Sequence, residues 1–235
     1  MVVAVTSEDA ARVARLRPAG RDPALSRDSV CVRHIPMAIS EFTSNQNEGD
    51  AFLFVGSHHH ANRQAVRWLL EQVLPRLRSV LRNVKLYLAG SDVWVDLAQG
   101  HPGAEGRGRV RDLKPYLARA RVMLLPTFIH GSGLQTKSLL AIQQGRPFVT
   151  TSNGVNGMRS DKDTHRRAFK IGDSPASFAN LSVHLFKNAQ ARRAQVHAMR
   201  IHAKRYLSWS NIVKETQSAM FKLVDGACLA PAWQL

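Results

Sequence analysis

The chain has 235 residues, with 33 Lys and Arg against 17 Asp and Glu, a formal net charge of +16 and 44% hydrophobic side chains, which suits one large domain with a buried core. Its longest apolar runs, "AFLFVG" and "VMLLP", are far shorter than the roughly 20 residues of a membrane-spanning helix, and the opening "MVVAVTSEDAAR" lacks the basic-then-apolar pattern of a secretory leader. Cys31 and Cys228, the two cysteines present, exclude a disulfide framework and a four-ligand zinc site, so a reducing, cytoplasmic setting is expected.

Residues 2–5, "VVAV", predict a short strand, and "TSEDAARVARLR" predicts a helix in which Thr6 and Asp9 form a capping pair. A loop over 18–28, a strand "VCVRHI" and a polar linker "PMAISEFTSNQNEGD" follow. From there strands and helices alternate. "FLFVG" at 52–56 leads to a helix from Ala61 to Leu81 with Asn62 as its N-cap, then "VKLYLAG" at 84–90 and a short helix from Asp92 to Ala98. "GRV" at 108–110 is read as a strand, Asp112 to Arg119 as a helix, and "VMLLP" at 122–126 as a strand. A helix beginning near Leu134, strands "PFVTT" at 147–151 and "FKIG" at 169–172, and two helices over 190–206 and 209–226 complete the series.

In the first long helix Val66, Leu69, Leu70, Val73 and Leu77 form one apolar stripe, which packs on a sheet. The strands are continuous apolar runs rather than alternating ones, the pattern of strands buried on both faces. The fold class is therefore α/β, a doubly wound parallel sheet over about residues 45–190. In such sheets ligands bind where the strands' carboxyl ends meet the following helices.

The most informative such turn is "PTFIHGSGLQTKSLLAIQQGRPFVTT", 126–151. Gly131 and Gly133 let the backbone approach a ligand closely, and the helix that follows aims its free N–H groups at the same place. The dipole favours an anion there, and Lys137, one turn in, supplies a flexible ammonium. A phosphate or diphosphate fits; a plain tight turn with a solvated lysine is the competing reading, and the pattern is not a P-loop.

Other features carry two readings each. His58, His59 and His60 are ordinary loop histidines or phosphate contacts, with poor geometry for a metal. "SNGVNGM" at 152–158 is a simple turn or a loop bordering a ligand, and Asp161, Asp163 and Asp173 are placed in polar loops without a catalytic role. From Ser174 to Lys214 there is no acid, while Lys187, Arg192, Arg193, Arg200, Lys204, Arg205 and Lys214 fall there. That run is a solvated helix face or a surface for an anionic membrane or other polyanion.

Taken together, "FVGSHHHANRQAVRWLLEQVLPRL", "VKLYLAG", "GRVRDLKPYLARARVMLLPTFIHGSGLQTKSLLAIQQGRPFVTT" and "RYLSWSNIV" resemble the C-terminal nucleotide-sugar-binding domain of retaining GT-B glycosyltransferases, family-four type (glycosyl transferases group 1), over about residues 30–225. The features shared in order are F-V-G-S with an Asn soon after, G-x-V-x-D-L, P followed by G-S-G and a lysine, A-x-x-x-G-x-P-x-V-x-T, and a late S-W. The resemblance implies a Rossmann-like half that binds a nucleoside diphosphate sugar as substrate, without a separate cofactor or metal. It implies that Gly56, Ser57, Gly131, Ser132, Gly133, Leu134 and Lys137 hold the diphosphate, and that Arg109, Val110 and Arg111 lie near the base.

Two departures qualify this. The family's ribose-binding Glu corresponds to Leu140, and an acid eight residues earlier, which contacts the donor sugar in much of the family, corresponds to Ser132. Losing a charge-assisted hydrogen bond costs about 1.5–3 kcal/mol of binding. The resemblance also divides the chain into 1–42, a remnant of the acceptor half with its linker; 43–206, the nucleotide-sugar-binding domain; and 207–235, a crossover helix and tail. On this reading the chain serves sugar transfer to an acceptor hydroxyl but is incomplete as a catalyst, and no residue is assigned a catalytic role. The alternative is a non-catalytic protein of the same fold that meets anionic lipid or nucleic acid through its basic helices. The expected partners are the donor, a peripheral anionic membrane surface and a second copy through the last helix, where Ile212, Val213, Met220, Phe221 and Leu223 are expected to be exposed; no specific nucleic acid is expected.

Overall fold

The computed structural model describes residues 2–4, 32–34, 43, 49–129, 135–158 and 161–224. Two short parallel strands, β1 (Val2–Ala4) and β2 (Val32–His34), pair with each other. The helix expected over residues 6–17 and both cysteines lie outside the described residues.

Six further strands, β3 (Ala51–Val55), β4 (Lys85–Ala89), β5 (Ala104–Gly108), β6 (Ala120–Leu125), β7 (Phe148–Thr150) and β8 (Lys170–Ile171), form one sheet. All neighbours are parallel, in the order β5-β4-β3-β6-β7-β8. Successive side chains of β3 face opposite layers: Phe52 and Phe54 enter one core, Ala51 and Leu53 the other. That is why the sequence of this strand is apolar without alternation.

The first layer is closed by α1 (His60–Trp68), α2 (Leu74–Val80), α3 (Val93–Ala98) and α7 (Pro175–Lys187). The second is closed by α4 (Lys114–Arg119), α5 (Thr136–Gln143), α6 (Lys162–Ala168) and α8 (Ala189–Tyr206). A last helix, α9, runs from Trp209 to Val224. The stripe Val66, Leu69, Leu70, Val73 and Leu77 is buried throughout.

α1 and α2 are one continuous rod interrupted by a π-helical turn, Leu69–Val73, in which the Leu74 amide reaches the Leu69 carbonyl. Pro75 explains the widening, because its ring cannot donate a hydrogen bond and crowds the preceding turn. The guanidinium of Arg76 donates to the Gln72 carbonyl at 2.5 Å, occupying one acceptor of the loosened turn.

Several elements differ from the sequence-based expectations. "GRV" at 108–110 is not a strand: β5 is the preceding "AEGRG" and ends at Gly108, whose φ is 66°. It is the sheet's edge strand, so its polar side chains face solvent and pair there, Lys85 with Glu105 at 2.7 Å and Arg107 with the same carboxylate. α6 falls where a polar loop was read, and α7 occupies a stretch for which no separate helix was delimited. Asp161 is the N-cap of α6, accepting from the Thr164 amide at 2.9 Å, and Asp163 lies in its first turn. Ser174 and Ser177 form a reciprocal cap at the start of α7, with Pro175 at its first position.

The basic run is not a uniform solvated face either. Arg192 is buried, and its guanidinium donates to the Leu185 and Phe186 carbonyls at 2.9 Å each, satisfying the end of α7. It is thus no contact for a polyanion. Ile212, expected on an exposed apolar face, is buried, whereas Val213 and Trp209 are exposed. The side chains of Met220, Phe221 and Leu223 lie outside the described residues. No described helix is long and apolar enough to cross a membrane.

Gln195 of α8 ties the second layer to the sheet, its amide donating to the carbonyls of Phe148 at 2.7 Å and Ala168 at 3.1 Å in a fully buried position. Gln195→Ala is expected to lower stability by about 2–3 kcal/mol, because two buried carbonyls lose their donor and a cavity opens. Urea unfolding checks this; a loss below about 1 kcal/mol would mean that water replaces the amide.

Candidate functional site

The order of the sheet reverses between β3 and β6, since the chain runs outward through β4 and β5 and then returns to the other side of β3. The loops leaving β3 and β6 therefore diverge and leave a crevice at their carboxyl ends, the place where open parallel sheets bind ligands.

On the β3 side, both backbone groups of Gly56 are committed to the protein. Its amide donates to the Ala89 carbonyl at 3.0 Å and its carbonyl accepts from the Trp94 indole at 2.8 Å. A Cβ at this position would stand 2.9 Å from the Asn62 carboxamide and 3.0 Å from the Phe54 ring. Glycine at 56 thus makes room for the Asn62 side chain, and Ser57, next in this turn, is exposed. The N-cap of α1 is His59, whose Nδ1 accepts from the Ala61 amide at 3.4 Å, not Asn62 as the sequence suggested. His58, His59 and His60 are all exposed, and no group of three or more metal-ligating side chains converges among the described residues.

On the β6 side, a lattice of hydroxyl bonds fixes the approach to α5. The Thr127 amide donates to Thr151 Oγ1 at 2.9 Å, and that hydroxyl donates to the Thr127 carbonyl at 2.5 Å. Thr150 Oγ1 donates to the Leu125 carbonyl at 2.8 Å, and Ser138 Oγ donates to the Gly154 carbonyl at 3.0 Å. The segment "TTSNG" therefore serves as a buried anchor for the start of α5, and Ser152–Val155 is a 3-10 turn. Asp173 accepts from the Ser152 amide at 2.8 Å and hydroxyl at 2.6 Å, a structural role.

Gly131, Ser132, Gly133 and Leu134 lie outside the described residues. α5 itself begins at Thr136, with Gln135 as its N-cap, two residues later than expected. Lys137 is therefore in the first turn rather than one turn in. The amides of Ser138 and Leu139 both reach the Gln135 carbonyl, at 3.0 and 3.2 Å, whereas no described acceptor reaches those of Thr136 and Lys137. The first turn thus directs unpaired donors outward.

Lys137 points across the crevice. Its ammonium donates to Asn62 Oδ1 at 2.9 Å and stands 5.3 Å from the centre of the Phe54 ring. No carboxylate pairs with it among the described residues, and burial pushes its pKa down to about 8. A largely desolvated cation with a neutral partner is a poor arrangement for stability and a good one for an incoming anion. Leu140 is half-buried on α5, which carries no acid along "TKSLLAIQ".

Arg109, Val110 and Arg111 follow β5, two strands from β3, or about 10 Å across the sheet. The Arg109 amide donates to Asp92 Oδ1 at 2.9 Å, which leaves the Arg109 side chain exposed beside that of Arg111, while Val110 packs on the core. Hydrogen bonds thus bring together Ser57, Asn62 and Lys137, with Arg109 and Arg111 two strands away. Asn62 was read as the cap of a helix; F-V-G-S with an Asn soon after was visible, but its pairing with Lys137 spans 75 residues.

The same fold recurs among solved structures. TarM matches with a TM-score of 0.70 and 12% identity, covering 92% of this chain and 42% of that one. Sucrose-phosphate synthase from Thermosynechococcus elongatus matches with a TM-score of 0.65 and 16% identity, covering 96% and 58%. Anabaena HepE, in complex with UDP and glucose, matches with a TM-score of 0.64 and 11% identity, covering 94% and 62%. The chain thus corresponds to between 42% and 62% of the length of these three proteins. No protein of curated function matches the chain by sequence. The family model for glycosyl transferases group 1 matches residues 49–188, the span of the six-stranded sheet and of α1 to α7, and the chain belongs to that family.

Proposed function

We propose that the chain binds a nucleoside diphosphate sugar, with the diphosphate between the first turn of α5, the Lys137 ammonium and Ser57, for transfer of the sugar to an acceptor hydroxyl. The observation that carries this reading is the Lys137 ammonium, part-buried at the switch point of a parallel sheet and paired to a neutral amide. The presence of UDP in the HepE complex supports the choice of ligand class.

Each element then has a task. The amides of Thr136 and Lys137 offer donors along the helix axis, favourable to an anion by about 0.3–1 kcal/mol. The ammonium supplies a full charge at a part-buried position, where it counts for more than in open water. As the bond from the anomeric carbon to the diphosphate breaks, negative charge grows on the leaving oxygen, and these fixed positive groups lower the barrier by stabilising it. The guanidinium groups of Arg109 and Arg111 lie toward the sheet edge, where the base of an extended ligand is expected. With Leu140 on α5, the ribose receives no carboxylate from that helix.

Equilibrium titration with UDP, GDP and ADP, followed by donor hydrolysis and transfer assays, tests the reading. Saturable binding of at least one nucleoside diphosphate at or below millimolar concentration is expected. Absence of binding by all three at millimolar concentration removes it.

A further inference from the structure

Asn62 occupies the third residue of α1 and faces two elements at once. Its Nδ2 donates to the Ser57 carbonyl at 3.0 Å, and its Oδ1 accepts from the Lys137 ammonium at 2.9 Å. Because an ammonium only donates and a carbonyl only accepts, the carboxamide satisfies both in one orientation alone. The missing side chain of Gly56 provides the slot that holds it.

We propose that Asn62 is a positioning residue of the anion site, a neutral strut that aims the Lys137 ammonium into the crevice between β3 and β6 without cancelling its charge. This rests on the function proposed above. An amide oxygen takes one of the three ammonium N–H groups and leaves two for the oxygens of a diphosphate. A carboxylate in the same place would form an ion pair that an incoming anion must break, and would repel the ligand directly.

Among the described residues, few other charges bear on the lysine. The β3 turn and α1 carry His58, His59, His60, Arg63 and Arg67, the β4 turn carries Asp92, and Asp173 bonds Ser152 beyond β7. α5 has no second titratable side chain, and burial is the cause of the lowered proton affinity of Lys137. A change at Asn62 is therefore read directly in the titration of the lysine.

The experiment compares the full chain with Asn62→Asp and Asn62→Ala by two readouts. One is UDP affinity from about pH 6 to pH 10. The other is the rate of acylation of Lys137 Nζ against pH in the ligand-free protein, followed by mass spectrometry. For the wild type both should turn over near the lysine pKa of about 8. UDP affinity should fall by up to about tenfold per pH unit above it, since the proton-bearing form binds. Asn62→Asp, nearly isosteric, is expected to raise the midpoint of acylation by at least about one pH unit and to weaken UDP about tenfold or more near pH 7. Asn62→Ala is expected to weaken UDP by at least about threefold with no rise in the midpoint.

A residue with only a packing role would leave the Asp variant's midpoint unmoved. Binding by the wild type together with an unmoved midpoint and affinity in Asn62→Asp overturns this inference alone. If the Asp variant does not fold, unchanged UDP affinity in Asn62→Ala does the same. Absence of UDP binding by the wild type overturns the reading of the site on which the inference stands.

Discussion

A Lys137→Met chain is expected to lose nucleoside diphosphate binding and to gain stability at neutral pH. The loss follows from removing a charge-assisted contact in a desolvated site, about tenfold to a hundredfold in affinity. The gain follows from linkage. Because burial lowers the lysine pKa from 10.5 to about 8, the folded chain holds this proton less tightly than the unfolded chain. The cost is fully present below about pH 8 and is relieved as pH rises toward 10.5. The shift corresponds to about 3 kcal/mol as an upper bound, reduced in the variant by loss of the bond to Asn62. Methionine keeps the length and the apolar stem, so packing against Phe54 survives. Denaturant unfolding near pH 7, beside UDP titration, checks both halves; a variant that is destabilised and still binds would contradict them together.

Gly106→Ala is expected to lower stability by about 3 kcal/mol or more. Gly106 lies on β5, where α3 crosses so closely that a Cβ would fall inside the envelopes of the Trp94 carbonyl and the Val95 Cα. Both are backbone, and the Trp94 ring is fully buried with its indole bonded to the Gly56 carbonyl. The helix therefore has little freedom to retreat, and overpacking against backbone belongs to the costly end of point substitutions. A fall in urea midpoint with an unchanged slope is the expected signature. A cost below about 1 kcal/mol would show that α3 moves independently of the β3 turn.

The same glycine explains part of what sequence reading missed. "AEGRG" has neither the β-branched residues nor the apolar run that marks the other strands, because an edge strand needs only one partner and its helix contact demands the absence of a side chain. The central strands β3, β4 and β6 were legible because burial on both faces leaves a continuous apolar run. α6 and α7 were not read, although Asp161 and the Ser174–Pro175 pair are helix-start signals. Their apolar positions, such as Phe178 and Leu185, are spaced among polar residues that hid the stripe.

At the site, Lys137 was legible because it lies a few residues from its glycine turn. Asn62 and the Thr150–Thr151 anchor were not, because each acts through a partner distant in the chain. The Asn62 side chain beside Gly56 was hidden for the same reason. A glycine after a strand signals close approach, and sequence does not say whether a ligand or a neighbouring amide makes that approach. Arg192 looked like surface charge within a basic run, and only the turn from α7 to α8 shows its guanidinium folded back onto carbonyls.

An anion is expected to seat against the Lys137 ammonium. Calorimetric titration of UDP near pH 8, repeated in two buffers of different ionisation enthalpy, tests it most directly, because an anion placed there raises the lysine pKa from about 8. Saturable binding is expected, with a heat that differs between the buffers by the uptake of up to about half a proton per site. Binding with the same heat in both buffers, or no saturable binding at millimolar UDP, would contradict it.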